Sequence, residues 1–432
     1  MSSRGSAPAG LSYERALAYV TGLGRFGVKL GLDRIRAILA ELGDPHLGRR
    51  GALIAGTNGK GSTAAFLEAI LRERGLRVGT TPSPHLRSYT ERVQLGSRPI
   101  SEAEFAAAVD RLRPRLEPVI AALGEPTEFE LLIALALDWL CPRSDRLVIE
   151  VGMGGRLDAT NVLDLGLAVV TNVSLDHRRH LGDTVEQIAA EKAGIIKPGN
   201  VVITGATGTA LEVVERFADR VGAAALWRLG REIELEARGR GWGGSELDLC
   251  GPGFSYRGLE IRMLGGFQPE NAALAVAAAH AMGDATPAAV RAGLASAAWP
   301  GRLERVGERL LMDGAHNPEG MRRLVASVRE LLGEERPAVV FGVMADKDVV
   351  DILRGLRGLE PELVVFTRAA GAGDRALGPA ALRAAWRDLG ASAPAREADE
   401  PASALAAARE AVGEEGWVLV CGSLYLVGEL RG

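Results

Sequence analysis

The strongest local signal for chemistry in the sequence is a glycine-rich loop with one lysine, which follows a short apolar run and precedes a helical pattern. Backbone N–H groups of such a loop at a helix N-terminus bind phosphates, and the helix dipole adds to the attraction. The lysine would lie on the outer phosphates and the serine near a magnesium ion. The spacing is shorter than in the strict Walker motif, and the alternative is a glycine-rich turn with a solvated lysine. The predicted phosphate-binding loop is Gly56, Thr57, Asn58, Gly59, Lys60, Gly61 and Ser62.

Polar residues at the ends of predicted strands form a second group. Glu150 ends a buried strand, and Asp176 and His177 follow the next one. Ser83 lies in the loop after a shorter strand. Parallel sheets bind ligands at the carboxyl ends of their strands, and hard oxygen atoms suit magnesium. Histidine is an unusual magnesium ligand, so a hydrogen-bonded polar group at a strand end is the alternative for His177.

Lysine is rare in this chain. Five of the 51 basic residues are lysine, which leaves 46 arginines. Where arginine replaces lysine so freely, a remaining lysine can mark the need for a compact charge or for an amine that loses its proton. Lys192 lies in EKAGIIKPG, which predicts a helix that carries it into the site. Lys197, beside Pro198, is expected to be an exposed charge at the helix end.

Length and composition limit the class of protein. A chain of 432 residues, 47% hydrophobic and 25% charged, indicates two or three globular domains. The formal net charge of −4 argues against a nucleic-acid partner. Three well-separated cysteines favour a reducing compartment over a disulfide scaffold. Because no apolar stretch is long enough to span a bilayer and no targeting segment is recognisable, we expect a cytoplasmic protein without a membrane partner.

Alternating strand and helix patterns predict an α/β fold. Continuous Val, Ile and Leu runs separated by helices are typical of a parallel sheet buried on both faces. The expected strands are 52–55, 146–151, 168–173, 201–204, 310–313, 338–341, 363–366 and 417–421. The expected helices are 60–74, 129–139 and 271–280, with a solvated helix over 380–412.

Two further patterns divide the chain. Glycine-rich turns between short β-like pieces at 227–264 predict a small antiparallel excursion. Pro300 and Gly301 break a helical pattern in WPGRLE, and we place a domain boundary there. The prediction is a P-loop-type, mainly parallel ATPase domain over residues 1–298, followed by a smaller Rossmann-like α/β domain over residues 299–432.

With these motifs in view, the sequence resembles a known family. GTNGKGS is similar to the ATP loop of the Mur ligase superfamily, in its folylpolyglutamate synthase and dihydrofolate synthase branch. The similarity continues in one order over residues 26–428 through FGVKLGLDRI, SPHLRSYTERV, EVGMGGRLDATN, LDHRRHLGDTVEQIAAEKAGIIKPG, WPGRLE, MDGAHNPEG, DKD and CGSLYLVGE. The resemblance implies a monomeric, ADP-forming ligase that uses ATP and magnesium. It would join L-glutamate to dihydropteroate, or to the glutamate tail of a reduced folate, through an acyl phosphate.

The resemblance also implies roles for individual residues around the phosphates. Lys192 would carry a carbamate, and it would act in catalysis together with Lys60, His177 and His316. The magnesium ligands would be Ser62, Ser83, Glu150 and His177.

Four residues outside the loop would complete the ATP site by the same resemblance. Asn271 would contact adenine, and Arg302 would reach the phosphates from the segment between the domains. Asp313 and His316 would hold the ribose and phosphates from the C-terminal domain. A helix N-cap is the alternative for Asn271, and a surface charge is the alternative for Arg302.

The resemblance leaves the residues that contact the substrates less well defined than those of the ATP site. Glu128 stands where the family commonly has an aromatic residue, which leaves the pterin contacts open. Ser423 and the triplet 346–348, with Lys347 at its centre, are candidates for the amino-acid substrate. The implied pterin-binding residues are Lys29, Leu30, Gly31, Thr127, Glu128, Phe129, Glu130, Leu157, Asp158 and Ala159.

Several functions remain open at this point. The enzyme could use both acceptors, which we expect, or act only as a folylpolyglutamate synthase. A cell-wall ligase acting on a UDP-linked sugar peptide is a weaker alternative, because SPHL and GGRLDATN match the folate branch. A nucleotide-binding regulator without catalysis is disfavoured, because Lys60, Glu150, His177, Lys192 and His316 are all retained.

Overall fold

The computed structural model of the protein describes residues 11–23 and 31–431. In that part of the chain no helix is both long and apolar enough to cross a lipid bilayer. Strands and helices alternate along most of it. The strands are β1 Gly51–Ala55, β2 Val78–Thr81, β3 Gln94–Leu95, β4 Arg98–Pro99, β5 Arg146–Glu150, β6 Leu167–Val170, β7 Val201–Thr204, β8 Ala225–Arg228, β9 Glu234–Gly239, β10 Ser245–Gly251, β11 Phe254–Ile261, β12 Glu304–Val306, β13 Leu310–Met312, β14 Ala338–Phe341, β15 Leu363–Phe366, β16 Ala395–Glu397 and β17 Val418–Cys421.

The helices lie between these strands and at both ends of the described chain. They are α1 Tyr13–Gly22, α2 Asp33–Glu41, α3 Lys60–Glu73, α4 Glu102–Leu123, α5 Glu128–Leu140, α6 Arg178–Leu181, α7 Val185–Ala193, α8 Gly208–Val221, α9 Gln268–Ala281, α10 Pro287–Ser296, α11 Pro318–Leu332, α12 Val349–Arg357, α13 Pro379–Asp388, α14 Pro401–Val412 and α15 Leu424–Leu430.

The larger sheet has eight strands in the order β4-β3-β2-β5-β1-β6-β7-β8. The six strands from β2 to β8 are parallel, and β3 and β4 add an antiparallel edge. Every residue of β1 is buried, because Leu53 and Ala55 face one hydrophobic cluster while Ala52 and Ile54 face another. The carboxyl ends of β1, β2, β5 and β6 therefore meet at one edge, where such sheets bind ligands. We call this sheet with its helices the large unit.

The second sheet has six strands in the order β12-β13-β17-β14-β15-β16. All of its pairs are parallel except that between β12 and β13. Two hydrophobic clusters cover its faces, as in a doubly wound fold. We call this sheet with its helices the small unit.

A separate antiparallel sheet, in the order β11-β10-β9, packs against α9 and α10. The turn between β9 and β10 carries Trp242, whose ring stacks on Trp417 of the small unit with centroids 4.5 Å apart and planes 12° apart. Leu264, just beyond β11, packs into the core of the small unit. This excursion therefore contacts both units.

The predicted fold class is confirmed, including the parallel sheets and the antiparallel excursion. The predicted strands are all present, and most of their bounds differ by one to three residues. The solvated helix over 380–412 is wrong. Two helices with β16 between them occupy that range, and each buries one face through Leu382 and Trp386, and through Ala404 and Ala408.

Candidate active site

The glycine-rich loop joins β1 to α3, as its position in the sequence predicts. Gly59 precedes the helix with a φ of 84°, a left-handed conformation that favours glycine. The loop is held from the end of β6, because Asn172 Oδ1 accepts a hydrogen bond from Asn58 N at 2.9 Å. The Lys60 ammonium donates to the carbonyl oxygens of Gly56 at 3.1 Å and Thr57 at 3.4 Å, and burial lowers its pKa. The lysine is thus folded back over the loop, where it would face the phosphates of a bound nucleotide.

The side of the loop next to Gly59 is closed by Asn271. A Cβ at Gly59 would collide with Asn271 Oδ1, so the Asn271 side chain can lie this close to the loop only with glycine there. Asn271 is buried inside α9 and donates to Gln268 Oε1 at 3.0 Å. Because α9 begins at Gln268, the alternative of Asn271 as a helix N-cap is wrong. A cradle too tight for any Cβ fits a phosphate-binding loop.

A cleft of about 140 Å³ lies between the large and small units at this loop. Every residue predicted for ATP, magnesium or catalysis lines this cleft: Gly56, Thr57, Asn58, Gly59, Lys60, Gly61, Ser62, Ser83, Glu150, His177, Lys192, Asn271, Arg302, Asp313 and His316. Asp176, from the segment after β6, lines the cleft as well.

One wall of the cleft presents oxygen atoms. Glu150 is 4% exposed. Burial raises its pKa, and the charge of Lys60 lowers the pKa by a smaller amount. Its Oε2 accepts a hydrogen bond from Ser83 N at 3.2 Å. Ser83 Oγ in turn accepts from Arg92 Nη1 at 3.0 Å, which leaves its second lone pair for another partner.

This donor set fits magnesium. Within residues 11–23 and 31–431 no three His, Cys, Asp or Glu side chains form a complete metal cage. Magnesium prefers one or two carboxylates together with phosphate oxygens and water, so a cage is not what it needs. Ser62, Ser83 and Glu150 on one wall beside the phosphate loop supply oxygen ligands of this kind.

Asp176 is the centre of a polar network that joins the two units. Its Oδ1 accepts from Lys347 Nζ at 2.7 Å and its Oδ2 from Asn317 Nδ2 at 3.1 Å. Asn317 Nδ2 also donates to Asn58 Oδ1 at 2.9 Å, which ties the network to the phosphate loop. Burial raises the pKa of Asp176, but His316, which is protonated in the acidic range where Asp176 titrates, and the charge of Lys347 outweigh this effect and hold that pKa well below its usual range.

Two histidines flank Asp176, and both are neutral at pH 7. Burial is the main cause that lowers the pKa of His177 and of His316 to about 4. His316 Nδ1 donates to Gly314 O at 2.8 Å, which leaves Nε2 facing Asp176 at 3.8 Å. His177 has a left-handed φ of 50°, and its Nε2 lies 3.4 Å from Lys347 Nζ. Each ring therefore offers one nitrogen lone pair, as a metal ligand or a proton acceptor requires.

Lys192 lies near the C-terminal end of α7 and is 4% exposed. Burial and the charge of Lys60 lower its pKa to about 7. Lys197 is not the exposed helix-end charge that we predicted. It lies beyond α7, is half-buried and donates from Nζ to Asn161 Oδ1 at 2.6 Å.

The small unit contributes a turn after β13. Asp313 is 4% exposed, and its carboxylate oxygens accept from Ala315 N and Leu303 N, each at 2.7 Å. The second bond fixes the segment that carries Arg302. Because Arg302 is only partly exposed and lines the cleft, its alternative as a surface charge is wrong.

In the described part of the chain, the residues implied for the pterin do not line this cleft. Lys29 and Leu30 lie outside the described residues. Thr127 and Glu130 form the capping box of α5, and Glu130 also pairs with Arg34 at 3.1 Å. Phe129 packs on Gly152, a residue of the cleft wall, so closely that a Cβ there would be 2.7 Å from the phenyl ring.

Other members of this set have local partners. Glu128 Oε1 accepts a hydrogen bond from the Tyr89 hydroxyl at 2.9 Å. Asp158 accepts from Met153 N at 2.9 Å and caps the short helical turn that contains Ala159. Ser423, a candidate for the amino-acid substrate and not for the pterin, caps α15 and accepts from Tyr425 N at 3.2 Å. Neither Ser423 nor any described residue of the pterin set lines the cleft; the described pterin set is Gly31, Thr127, Glu128, Phe129, Glu130, Leu157, Asp158 and Ala159.

Sequence reasoning missed Asn317 and Arg92 as parts of the site, and it gave Asp176 no role. A signal existed for Asn317, because an asparagine before proline is typical of a helix N-cap, and Asn317 does cap α11. Nothing local distinguished Arg92 among so many arginines.

Comparison with known proteins agrees with this geometry. Residues 54–279 match the Mur ligase middle domain, and residues 301–424 match the Mur ligase, glutamate ligase domain. The chain belongs to the Mur ligase family. It is 34% identical over 97% of its length, and 98% of the relative's, to the dihydrofolate synthase/folylpolyglutamate synthase of Bacillus subtilis. The protein of the same name from Escherichia coli is 33% identical, with 95% of this chain and 93% of the relative covered.

Solved structures show the same Mur ligase architecture. A Mycobacterium tuberculosis folylpolyglutamate synthase complexed with ADP superposes with a TM-score of 0.90 at 32% identity, covering 97% of this chain and 98% of that chain. Escherichia coli FolC in complex with DHPP and ADP gives a TM-score of 0.87 at 30% identity, covering 99% and 98%. The chain is therefore an ATP-dependent, ADP-forming Mur ligase of the folylpolyglutamate and dihydrofolate synthase branch, and magnesium is its metal cofactor.

Proposed function

We propose that this enzyme joins L-glutamate both to dihydropteroate and to the glutamate tail of reduced folates. The observation that carries the proposal is the single cleft in which Lys60, Glu150 and Lys192 of the large unit meet Arg302 and His316 of the small unit. Both reactions form an amide from a carboxylate and the amine of glutamate, so one set of phosphate-binding groups serves them.

The residues of the cleft suit an acyl-phosphate mechanism. The acceptor carboxylate takes the γ-phosphoryl group of ATP, and the glutamate amine then displaces phosphate from the acyl carbon through a tetrahedral intermediate. Lys60 and the loop N–H groups would face the negative charge that spreads during phosphoryl transfer, and Arg302 lines the same cleft. Magnesium, when bound, neutralises phosphate charge between these groups. No covalent nucleophile of the enzyme is required.

The individual roles form part of the same proposal. Asn271, against the phosphate loop, would contact adenine, while Asp313 and His316 would hold the ribose and phosphates. Lys192 would carry a carbamate, and Lys347 and Ser423 would take part in binding glutamate. Ser62, Ser83, Glu150 and His177 would hold magnesium.

Space for an acceptor exists beside the cleft. A second cavity of about 370 Å³ shares Ser83, Glu150 and Arg302 with it, so an acceptor there could extend its carboxylate to the phosphates. Phe129, one of the residues that the resemblance implies for the pterin, packs on Gly152 of the cleft wall. We propose that Glu128, hydrogen-bonded to Tyr89, takes part in acceptor choice where relatives have an aromatic residue.

A phosphate-release assay tests the function directly. The enzyme would receive ATP, L-glutamate and, in turn, dihydropteroate, tetrahydrofolate and a UDP-linked sugar peptide. We expect turnover with the first two acceptors, and dihydropteroate should competitively inhibit folate elongation if they share the site. Turnover of folate alone would establish the single-activity alternative, and turnover of the sugar peptide alone would overturn the folate assignment. Glu128→Tyr should change the ratio of the two acceptor activities more than it changes the Michaelis constant for ATP.

We further propose that the domains divide between residues 298 and 299 and that the enzyme works as a monomer in the cytoplasm. The residues implied for ATP, magnesium and catalysis all lie on one chain, as a monomer requires. Light scattering after size exclusion measures the mass in solution. Residues 1–298 expressed alone should bind nucleotide weakly and ligate nothing, because Arg302, Asp313 and His316 are then missing. Near-normal ligation by that fragment would contradict a site shared between the domains.

A further inference from the structure

Lys347 makes a contact that the proposed reaction does not explain. Its side chain extends from the loop before α12 of the small unit to the large unit and is 7% exposed. There its ammonium donates to Asp176 Oδ1 at 2.7 Å and lies 3.4 Å from His177 Nε2. The cation of one unit is therefore bound to a carboxylate and an imidazole of the other.

Nε2 of His177 can bind either the Lys347 ammonium or a metal ion, but not both at once. A neutral imidazole has one acceptor nitrogen, and an ammonium group can only donate. The Nε2 lone pair of His177 therefore points at Lys347. A metal ion would need that same lone pair, because a neutral imidazole binds a metal through its unprotonated nitrogen.

We infer that Lys347 competes with the magnesium ion for His177 and is a positioning residue that controls metal loading. This inference rests on the proposed role of His177 as a metal ligand. Metal binding at Nε2 requires the ammonium to leave, and the positive charge beside Asp176 opposes a second cation. Because Lys347 belongs to the small unit, its departure also releases an ion pair between the units. Metal loading and the contact between the units are thereby coupled.

If Lys347 competes with the metal ion, then removing this lysine should increase the affinity of the site for the metal. The measured quantity is the metal dependence of ADP binding, taken as the Kd of ADP in EDTA divided by its Kd with Mn²⁺, both by calorimetry on the full chain. A general disturbance of the site weakens both affinities and largely cancels in the ratio. For Lys347→Met, which keeps the length but removes the charge and the donor, the ratio should rise about tenfold, the size of one lost charge-assisted hydrogen bond.

Three further variants locate the effect. Lys197→Met is the matched control, because Lys197 is also a half-buried lysine but donates to Asn161 instead. Its ratio should equal that of wild type. Lys347→Arg keeps a cation that can donate to both partners and should show no rise. In a His177→Ala background most of the rise caused by Lys347→Met should disappear, because the lone pair under competition is gone and only the charge beside Asp176 still acts.

The outcomes separate this inference from the proposed function. An unchanged or lower ratio in folded Lys347→Met overturns the competition, as does a rise of undiminished size in the His177→Ala background. Either result leaves ligase turnover by wild type, and hence the proposed function, untouched. Failure of the acceptor assay, with the predicted rise still present, would instead reject the function and keep the competition.

Discussion

Lys192 allows the most direct test of the proposed chemistry, because only a neutral amine reacts with carbon dioxide. Burial, and then the charge of Lys60, lower its pKa from 10.5 to about 7. At pH 7 about half of such amines are neutral, against about 0.03% of amines with the ordinary value. The reactive form is therefore about 1500 times more abundant at Lys192 than at an exposed lysine.

The assay follows the carbamate carbon by NMR after addition of labelled bicarbonate. Wild type should give a signal that is absent from Lys192→Ala and kept in Lys197→Ala, since Lys197 has a pKa of about 8 and is already bound to Asn161. Lys192→Ala should be nearly inactive, and a short carboxylic acid in the buffer should restore part of the activity. Absence of the signal, together with an active Lys192→Arg, would refute the reasoning, because arginine cannot carry a carbamate.

The same shift in pKa predicts how stability depends on pH in buffer free of carbon dioxide. In the unfolded chain Lys192 stays protonated up to pH 10.5, and in the folded chain only up to about pH 7. Unfolding takes up a proton between these values, so stability rises with pH across this window. Lys192→Met should therefore stabilise the protein more at pH 6 than at pH 9 in urea unfolding. An equal gain at both values would show that the lysine keeps its ordinary pKa.

The remaining predictions concern Lys60, Gly59 and Trp242, with Gly75 as a control, and they probe the phosphate loop and the contact between the units. Lys60→Ala should reduce phosphate release by at least about a hundredfold with little change in urea unfolding; comparable release by the folded variant would refute the loop's role. Gly59 and Gly75 share a left-handed φ, and the backbone strain in Gly59→Ala and in Gly75→Ala should cost at least about 1 kcal/mol of stability in each. Only Gly59→Ala meets a side chain, that of Asn271, and only it should weaken ADP binding; equal ADP affinities would contradict the cradle. Trp242→Ala removes a stacked pair and should cost about 1 kcal/mol of stability while ADP affinity is kept, and weaker ADP binding would show that the excursion shapes the cleft.

Local patterns explain why the phosphate loop and the strand-end residues could be predicted. The loop can be recognised from its own glycines, the strand before it and the helix after it, and all three lie next to one another in the sequence. Glu150 and Asp176 follow apolar runs, and the parallel arrangement of those runs brings the strand ends together.

Contacts between distant segments explain most of what was missed. Asp176 binds Lys347 and Asn317, which lie on the other unit, and no pattern along the chain links these positions. Thr127 and Glu130 are different, because serine or threonine followed three residues later by glutamate is a capping signal in its own right. That signal was present in TEFE, and the structure shows the capping box.

Gly61, which separates Lys60 from Ser62 in the phosphate loop, is required by a contact outside that loop. It lies against the indole of Trp299, and a Cβ there would be only 2.6 Å from the ring nitrogen. Trp299 begins the segment that leads into the small unit. The two positions should therefore co-evolve: homologues with a side chain in place of Gly61 should carry a smaller residue in place of Trp299. An alignment of this branch can test that covariation without any protein being made.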